Sequence, residues 1–421
     1  MIGAIASPTN IIEIPGGPTQ GANTVLGTAL DEALVYSTAL ASGGEILCVI
    51  DPRPFPLRDQ ALAEIGRRWR LNIMDRVVPN PESRDIMVMA EGARQRRPAA
   101  VLGIGGGSTL DSAKAVAMLI ENSGDLDEYL GPEASRKPQA RTIPLILIPT
   151  TTGTGSEVTR FGVYTARSGR KYTLNSPVLQ ADTAILAQDL VADLPPALVA
   201  VTGYDALTHA LETLWNKNAT AQSDRLALEA AAAVLTSLEP AWHAGHAKDR
   251  AERLPALAEL QRAATLAGIA FNKTGTAAIH ALSFILSETW HMSHGAACAF
   301  FTQNIFDLNV QDPTVRTKFI ELAKRVYTEA AKSTALSLSE AGYIQYLRDR
   351  LVALKKSMGL PDRFSDIKGF TVPATRAEQE QLLSLFDKAQ NDFKLQNNPV
   401  PCTPELVRRL VLDKLFLEHL S

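Results

Sequence analysis

Asp205 and His209 stand four residues apart in Tyr204-Asp205-Ala206-Leu207-Thr208-His209, and two more histidines, His280 and His294, follow between Ala277 and Phe301. Positions i and i+4 share a helix face, so Asp205 and His209 can direct an oxygen and a nitrogen at one point. With His280 and His294 they offer four donors to a single divalent cation. That mixed set suits Fe²⁺ or Zn²⁺ and lacks the thiolates of structural zinc sites. Each residue also has a plainer reading on its own, a solvated or capping Asp and a satisfied histidine. Cys298 lies close to His294, but the metal set is complete without it, and it reads as core packing.

A second cluster suits an anion. Gly103-Ile104-Gly105-Gly106-Gly107-Ser108 follows a predicted strand and opens a helix expected over Thr109 to Leu119. Consecutive glycines admit close backbone approach, Ser108 is a good N-cap, and a helix N-terminus favours a pyrophosphate. The plain alternative is a tight turn without a ligand, and the pattern is not the GxGxxG fingerprint. The loop Pro149 to Glu157, with Thr150, Thr151 and Thr154, follows the next strand, where α/β ligands bind; alone it reads equally as a turn-rich loop. Asp51 ends the first strong strand. It either accepts hydrogen bonds from an adenosine ribose, favouring NAD over NADP, or serves as a turn former before Pro52.

These residues need elements to position them. Buried strands are expected at Glu45–Asp51, Ala99–Ile104, Thr142–Ile148 and Thr183–Leu186, with helical periodicity between, as at Pro81 to Arg96. Strands alternating with helices imply a parallel sheet. Phe161–Thr165 and Arg170–Leu174 read as a hairpin added to that sheet. After Leu194-Pro195-Pro196 the chain turns helical, clearest at Ser223 to Leu238 and Arg250 to Phe271, with no convincing strand. The expected division is an α/β domain over 1–194 and an all-α domain over 195–421.

A chain of 421 residues can hold two domains with substantial cores. A net charge of −3 gives no basic footprint for nucleic acid and no polybasic membrane arm. The first residues lack a basic stretch before an apolar core, so no signal peptide is expected, and no apolar run nears the ~20 residues of a membrane span. Three widely spaced cysteines argue against a disulfide framework. A cytoplasmic protein is expected.

The segments GGGSTLDSAKA from Gly105, PTTTGTGSEVTRF from Pro149, GYDALTHALE from Gly203, AAIHALSF around His280 and SHGAACAF around His294 together resemble the iron-containing (group III) alcohol dehydrogenase family, in the family's order. The resemblance implies a Rossmann-like dinucleotide-binding α/β domain and a dehydroquinate synthase-like helical domain in which Asp205, His209, His280 and His294 hold Fe²⁺ or Zn²⁺. It implies an NAD(H) site lined by Gly105, Gly106, Gly107, Ser108, Asp111, Lys114, Thr150, Thr151 and Thr154, and a homodimer or larger assembly. Many members carry another histidine four residues after the one matching His280; here Phe284 stands there, so any role in proton relay does not transfer. His291 either substitutes or is a surface loop residue. Ser293 stands where proline is common, which should alter only the local turn. Gly268 to Ser283 is similar to reductases of phosphonoacetaldehyde and sulfoacetaldehyde, whose substrates carry an anion near the carbonyl. Arg160, Asn272 and Lys273 could hold such a tail by charge-assisted hydrogen bonds, or be ordinary loop and helix-end residues. The expected activity is therefore NADH-linked reduction of a small anionic aldehyde, sulfoacetaldehyde to isethionate before phosphonoacetaldehyde. A general short-chain alcohol or lactaldehyde dehydrogenase is the broader alternative, and a non-catalytic binding or assembly protein the alternative outside enzymes.

Overall fold

The computed structural model describes residues 7–16, 25–35, 44–53, 55, 57–247, 249–331 and 338–416. The strands are β1 (Asn10–Ile14), β2 (Glu45–Ile50), β3 (Arg70–Met74), β4 (Ala100–Gly105), β5 (Leu145–Pro149), β6 (Phe161–Thr165), β7 (Lys171–Asn175) and β8 (Thr183–Ala187). Six of them form one sheet in the order β1-β8-β5-β4-β2-β3, parallel throughout. Strands β4, β5 and β8 are buried at every position because helices cover both faces of a parallel sheet, so their apolar runs do not alternate. The covering helices are α1 (Val25–Val35), α2 (Arg58–Gly66), α3 (Ser83–Arg96) and α4 (Gly107–Glu121).

The hairpin β6–β7 forms where the sequence places it but is a separate two-stranded sheet, not an extension of the large one. Its outer backbone groups are met by α4 instead. Val163 N donates to Asp111 Oδ2 at 2.9 Å, Lys114 Nζ donates to the Phe161 carbonyl at 2.8 Å, and the Tyr164 hydroxyl donates to the Asp111 carbonyl at 3.0 Å.

Among the described residues nine α-helices follow: α5 (Pro196–Trp215), α6 (Ala221–Ala244), α7 (Arg250–Thr274), α8 (Ala278–Trp290), α9 (His294–Asn309), α10 (Pro313–Ala331), α11 (Glu340–Ser357), α12 (Arg376–Asp387) and α13 (Pro404–Phe416). Among the described residues no strand occurs after Ala187.

Two compact units result. The first comprises Met1–Pro195 and Ala244–Asn272, the second Pro196–His243 and Lys273–Ser421. A single cut after 194 therefore differs from the observed division, because most of α7 returns to the α/β unit. Thr265 Oγ1 donates to Glu157 Oε1 at 2.7 Å, and a Cβ on Gly155, at φ +59°, would fall 2.6 Å from Gly268 Cα. Helix α7 packs on the loop after β5 only because both of those positions are glycine.

Candidate metal centre

Helix α5 carries Asp205, His209 and Glu212 on one face, at spacings of four and then three residues. All three are buried. Helix α9 lies against α5 at Gly295, where a Cβ would fall 1.8 Å from the Val201 carbonyl oxygen. That close approach brings His294, the first residue of α9, to Asp205.

Three imidazoles surround a single carboxylate oxygen. Asp205 Oδ1 lies 3.8 Å from His209 Nε2, 3.6 Å from His280 Nε2 and 3.6 Å from His294 Nε2. The His209 and His280 rings stack at 4.7 Å between centroids, and the His280 and His294 rings lie 5.2 Å apart. These separations are too long for hydrogen bonds and close to those of donors sharing one cation, about 3.3 Å for bonds near 2.0 Å. Among the described residues, Asp205 Oδ1 and His280 Nε2 are buried without a hydrogen-bond partner. Buried orphans facing one another are costly unless something else binds them. The donor set and its orphaned atoms fit a divalent metal.

Glu212 completes the arrangement and was not anticipated from the sequence. Its carboxylate accepts from Ala277 N and Ile279 N, each at 2.6 Å, at the start of α8, and lies 2.7 Å from His280 Nδ1. A carboxylate there satisfies helix N-terminal donors and accepts a hydrogen bond from Nδ1–H, which leaves the Nε2 lone pair for a metal. The available signal was Glu212 three residues after His209, on the helix face that already carries Asp205 and His209. Burial alone would raise the Asp205 carboxyl, but the positive charges of His209 and His294 hold it well below the usual carboxylate range.

Cys298 is packed in the core as expected and also faces the centre. Its Sγ lies 3.9 Å from His294 Nε2. One donor atom each of Asp205, His280, His294 and Cys298 lies within 4.8 Å of the others. Phe284 sits beside the centre, 6.1 Å from the His294 ring, with Lys394 Nζ 4.1 Å from its ring centre and paired to Asp392 at 2.6 Å. His291 is an exposed left-handed C-cap of α8, which is the surface reading.

In the α/β unit the glycine loop and the threonine loop meet. A Cβ on Gly106 would fall 3.1 Å from Thr151 Cγ2, one on Gly107 2.6 Å from Thr154 Cγ2, and one on Gly105 2.5 Å from Thr109 Oγ1. The glycines thus admit the threonines, and Thr150 N donates to the Gly105 carbonyl at 3.0 Å. The N-cap of α4 is Gly106, without a side-chain cap, so Ser108 does not hold that position; its Oγ accepts from Asn80 N at 3.3 Å. Asp111 and Lys114 turn inward. Lys114 is wholly buried and donates to Ser156 Oγ at 2.7 Å and Thr159 Oγ1 at 3.2 Å, while Asp111 Oδ1 accepts from Ser156 Oγ at 2.6 Å. Burial lowers the Lys114 ammonium to about 8, against the opposing pull of Asp111 and Glu157. Both residues brace the threonine loop against α4, a structural role the motif reading missed. Asp51 directly follows β2, which ends at Ile50, and Arg53 takes both its oxygens, Nε at 3.0 Å and Nη2 at 2.7 Å.

Of the three residues considered for an anionic tail, Asn272 Oδ1 accepts from Arg160 N at 2.9 Å and its Nδ2 donates to Gln180 Oε1 at 3.0 Å. Asn272 is committed to the backbone around Arg160. The Arg160 guanidinium lies 5.7 Å from the Phe161 ring centre, and its Nε is buried without an acceptor among the described residues. Lys273 is exposed and belongs to the other unit.

Residues 25–188 match the model of the iron-containing alcohol dehydrogenases, and 199–415 match the C-terminal model of the same family. The chain belongs to the iron-containing alcohol dehydrogenase family. It is 32% identical over 387 residues to long-chain-alcohol dehydrogenase 1 of Geobacillus thermodenitrificans, covering 91% of this chain and 92% of that one. It is 35% identical over 243 residues to the sulfoacetaldehyde reductase of Bilophila wadsworthia, covering 58% of this chain and 60% of that one. The sulfoacetaldehyde reductase of Bifidobacterium kashiwanohense, solved in complex with NAD+, shares the fold at a TM-score of 0.79 and 23% identity, over 98% of both chains. Membership of the iron-containing alcohol dehydrogenase family makes the chain an oxidoreductase of alcohols and aldehydes. Among the described residues no helix is long and apolar enough to cross a membrane.

Proposed function

We propose that the protein uses NADH to reduce a small aldehyde with an anionic tail, sulfoacetaldehyde to isethionate being the preferred reaction. The observation that carries the reading is the ring of buried Asp205, His209 and His280 closed by half-buried His294, with orphaned donor atoms facing one another. Those four residues would hold Fe²⁺, or Zn²⁺ in its place. A divalent ion there supplies Lewis acidity to a carbonyl oxygen that gains charge as hydride arrives. Asp205 moderates the site's charge, and Glu212 fixes the His280 ring so that Nε2 points inward. Burial keeps bulk water from Asp205, His209 and His280, and half-buried His294 leaves the centre open on its side. Phe284 excludes water but cannot move a proton, so protonation of the product does not use that position. The Gly105 to Ser108 turn, Thr150, Thr151 and Thr154 would receive the dinucleotide at the uncapped start of α4, with Asp51 toward the ribose. The protein would work as a homodimer in the cytoplasm.

The anionic tail rests on Arg160, whose buried Nε lacks an acceptor among the described residues, and a sulfonate oxygen would supply one. Initial rates of NADH oxidation with sulfoacetaldehyde, phosphonoacetaldehyde, lactaldehyde and propionaldehyde test the assignment. Sulfoacetaldehyde should have the highest kcat/KM. Arg160→Ala should depress that value by roughly tenfold or more, the scale of a lost charged hydrogen bond, and leave propionaldehyde nearly unchanged. Equal rates for the charged and neutral aldehydes would overturn the tail and leave the metal-assisted reduction standing.

A further inference from the structure

We propose that Cys298 is a sulfur donor to the metal held by Asp205, His209, His280 and His294, so that the centre is a mixed carboxylate, imidazole and thiolate site. The inference rests on the metal-centre reading above and deepens it. His294 and Cys298 are four residues apart on α9 and share the face turned toward α5. The 3.9 Å between Cys298 Sγ and His294 Nε2 is long for a hydrogen bond to an imidazole nitrogen. Adjacent donors on one five-coordinate ion, a nitrogen near 2.0 Å and a sulfur near 2.3 Å, stand about 3.0–3.7 Å apart, so a shift of a few tenths of an ångström completes the geometry. The thiol is fully buried. The orphaned Asp205 Oδ1 and His280 Nε2 belong to the same group of atoms, all within 4.8 Å of one another. Those orphans point to a cation independently of the sulfur, and the sulfur lies within reach of it.

The chemistry follows from ligand softness. On coordination the thiol loses its proton to solvent and binds as thiolate. A thiolate favours Zn²⁺ over Fe²⁺ relative to an all-imidazole and carboxylate set, and its charge reduces the electrophilicity of the ion. It also gives the centre a group that oxidants can attack when the metal is lost.

Cobalt-substituted protein provides the test. In the Co²⁺-loaded wild type, visible ligand-field bands report metal in the site, and a near-ultraviolet sulfur-to-cobalt charge-transfer band reports the thiolate. Cys298→Ser should keep the visible bands and lose the near-ultraviolet band. Competition titrations should show Cys298→Ser losing affinity for Zn²⁺ at least about tenfold more than for Fe²⁺, the scale on which a supporting ligand acts. Visible bands without a charge-transfer band in the wild type would overturn the proposal, as would a band that survives in Cys298→Ser. Should the serine variant fail to fold, Cys298→Ala gives the same reading, and the wild-type spectrum alone remains decisive. Absence of any cobalt spectrum would instead remove the metal centre itself, a different failure from loss of the sulfur band alone.

Discussion

Glu212 brings a negative charge into the helical unit with no water to receive it, and backbone N–H groups at the start of α8 together with one imidazole take that water's place. The residue touches no substrate; it positions His280. Glu212→Gln keeps the shape but presents an amide N–H to donors that need an acceptor. Metal affinity is expected to fall about 10- to 100-fold, measured by competition with a chelator of known affinity. Thermal unfolding of the metal-free variant should also show a loss of about 1–3 kcal/mol, the cost of an unsatisfied buried donor. Unchanged affinity would mean that His280 holds its ring orientation without help. Helical spacing aligns Asp205 and His209 on one face, but the family motifs were needed to single them out, since the same spacing suits unrelated helices. His280 and His294 needed the family motifs, since nothing in their spacing fixes where α8 and α9 pack. Glu212 and Cys298 escaped because their roles depend on partners, and partners are set by tertiary contact.

At the scale of elements, Lys114 ties α4 to the threonine loop and to β6 through three acceptors. Its folded-state value of about 8 lies below the ordinary 10.5 because burial penalises the ammonium. The unfolded chain therefore binds the extra proton between those two values, so stability rises as pH climbs from about 8 to 10.5. Below about 8 the group is charged in both states and the burial penalty is fully present. Lys114→Met should remove this contribution, while Lys414, also lowered to about 8 by burial, keeps its own in both proteins. Urea unfolding at pH 7 and pH 10.5 is expected to show wild type gaining roughly 3 kcal/mol relative to the variant; a pH-independent gap would show that the charge is not buried as placed. The same contacts explain what the sequence could and could not say about the sheet. Strands β2, β4, β5 and β8 announce themselves as apolar runs, whereas β1 and β3 are partly exposed edges with polar interruptions. The hairpin strands were legible, but their docking on α4 was not, because Asp111 and Lys114 read as ligand-facing motif residues.

For the whole molecule, the proposed metal donors all lie in the unit of Pro196–His243 and Lys273–Ser421, and the glycine and threonine loops lie in the other. A ligand that binds only the folded state stabilises the part that must be folded to bind it, by about 4 kcal/mol at a thousand times its dissociation constant. Chelation should therefore lower the unfolding temperature of the helical unit, and NADH should raise that of the α/β unit. Differential scanning calorimetry of the metal-loaded and chelated protein, each with and without NADH, reads both effects. Hydrogen exchange assigns them, because amides of α5, α8 and α9 should lose protection on chelation while those of β4 and β5 do not. Equal loss in both units would mean that the chain unfolds as one cooperative body, and the metal would then support the nucleotide-binding sheet as strongly as its own ligands.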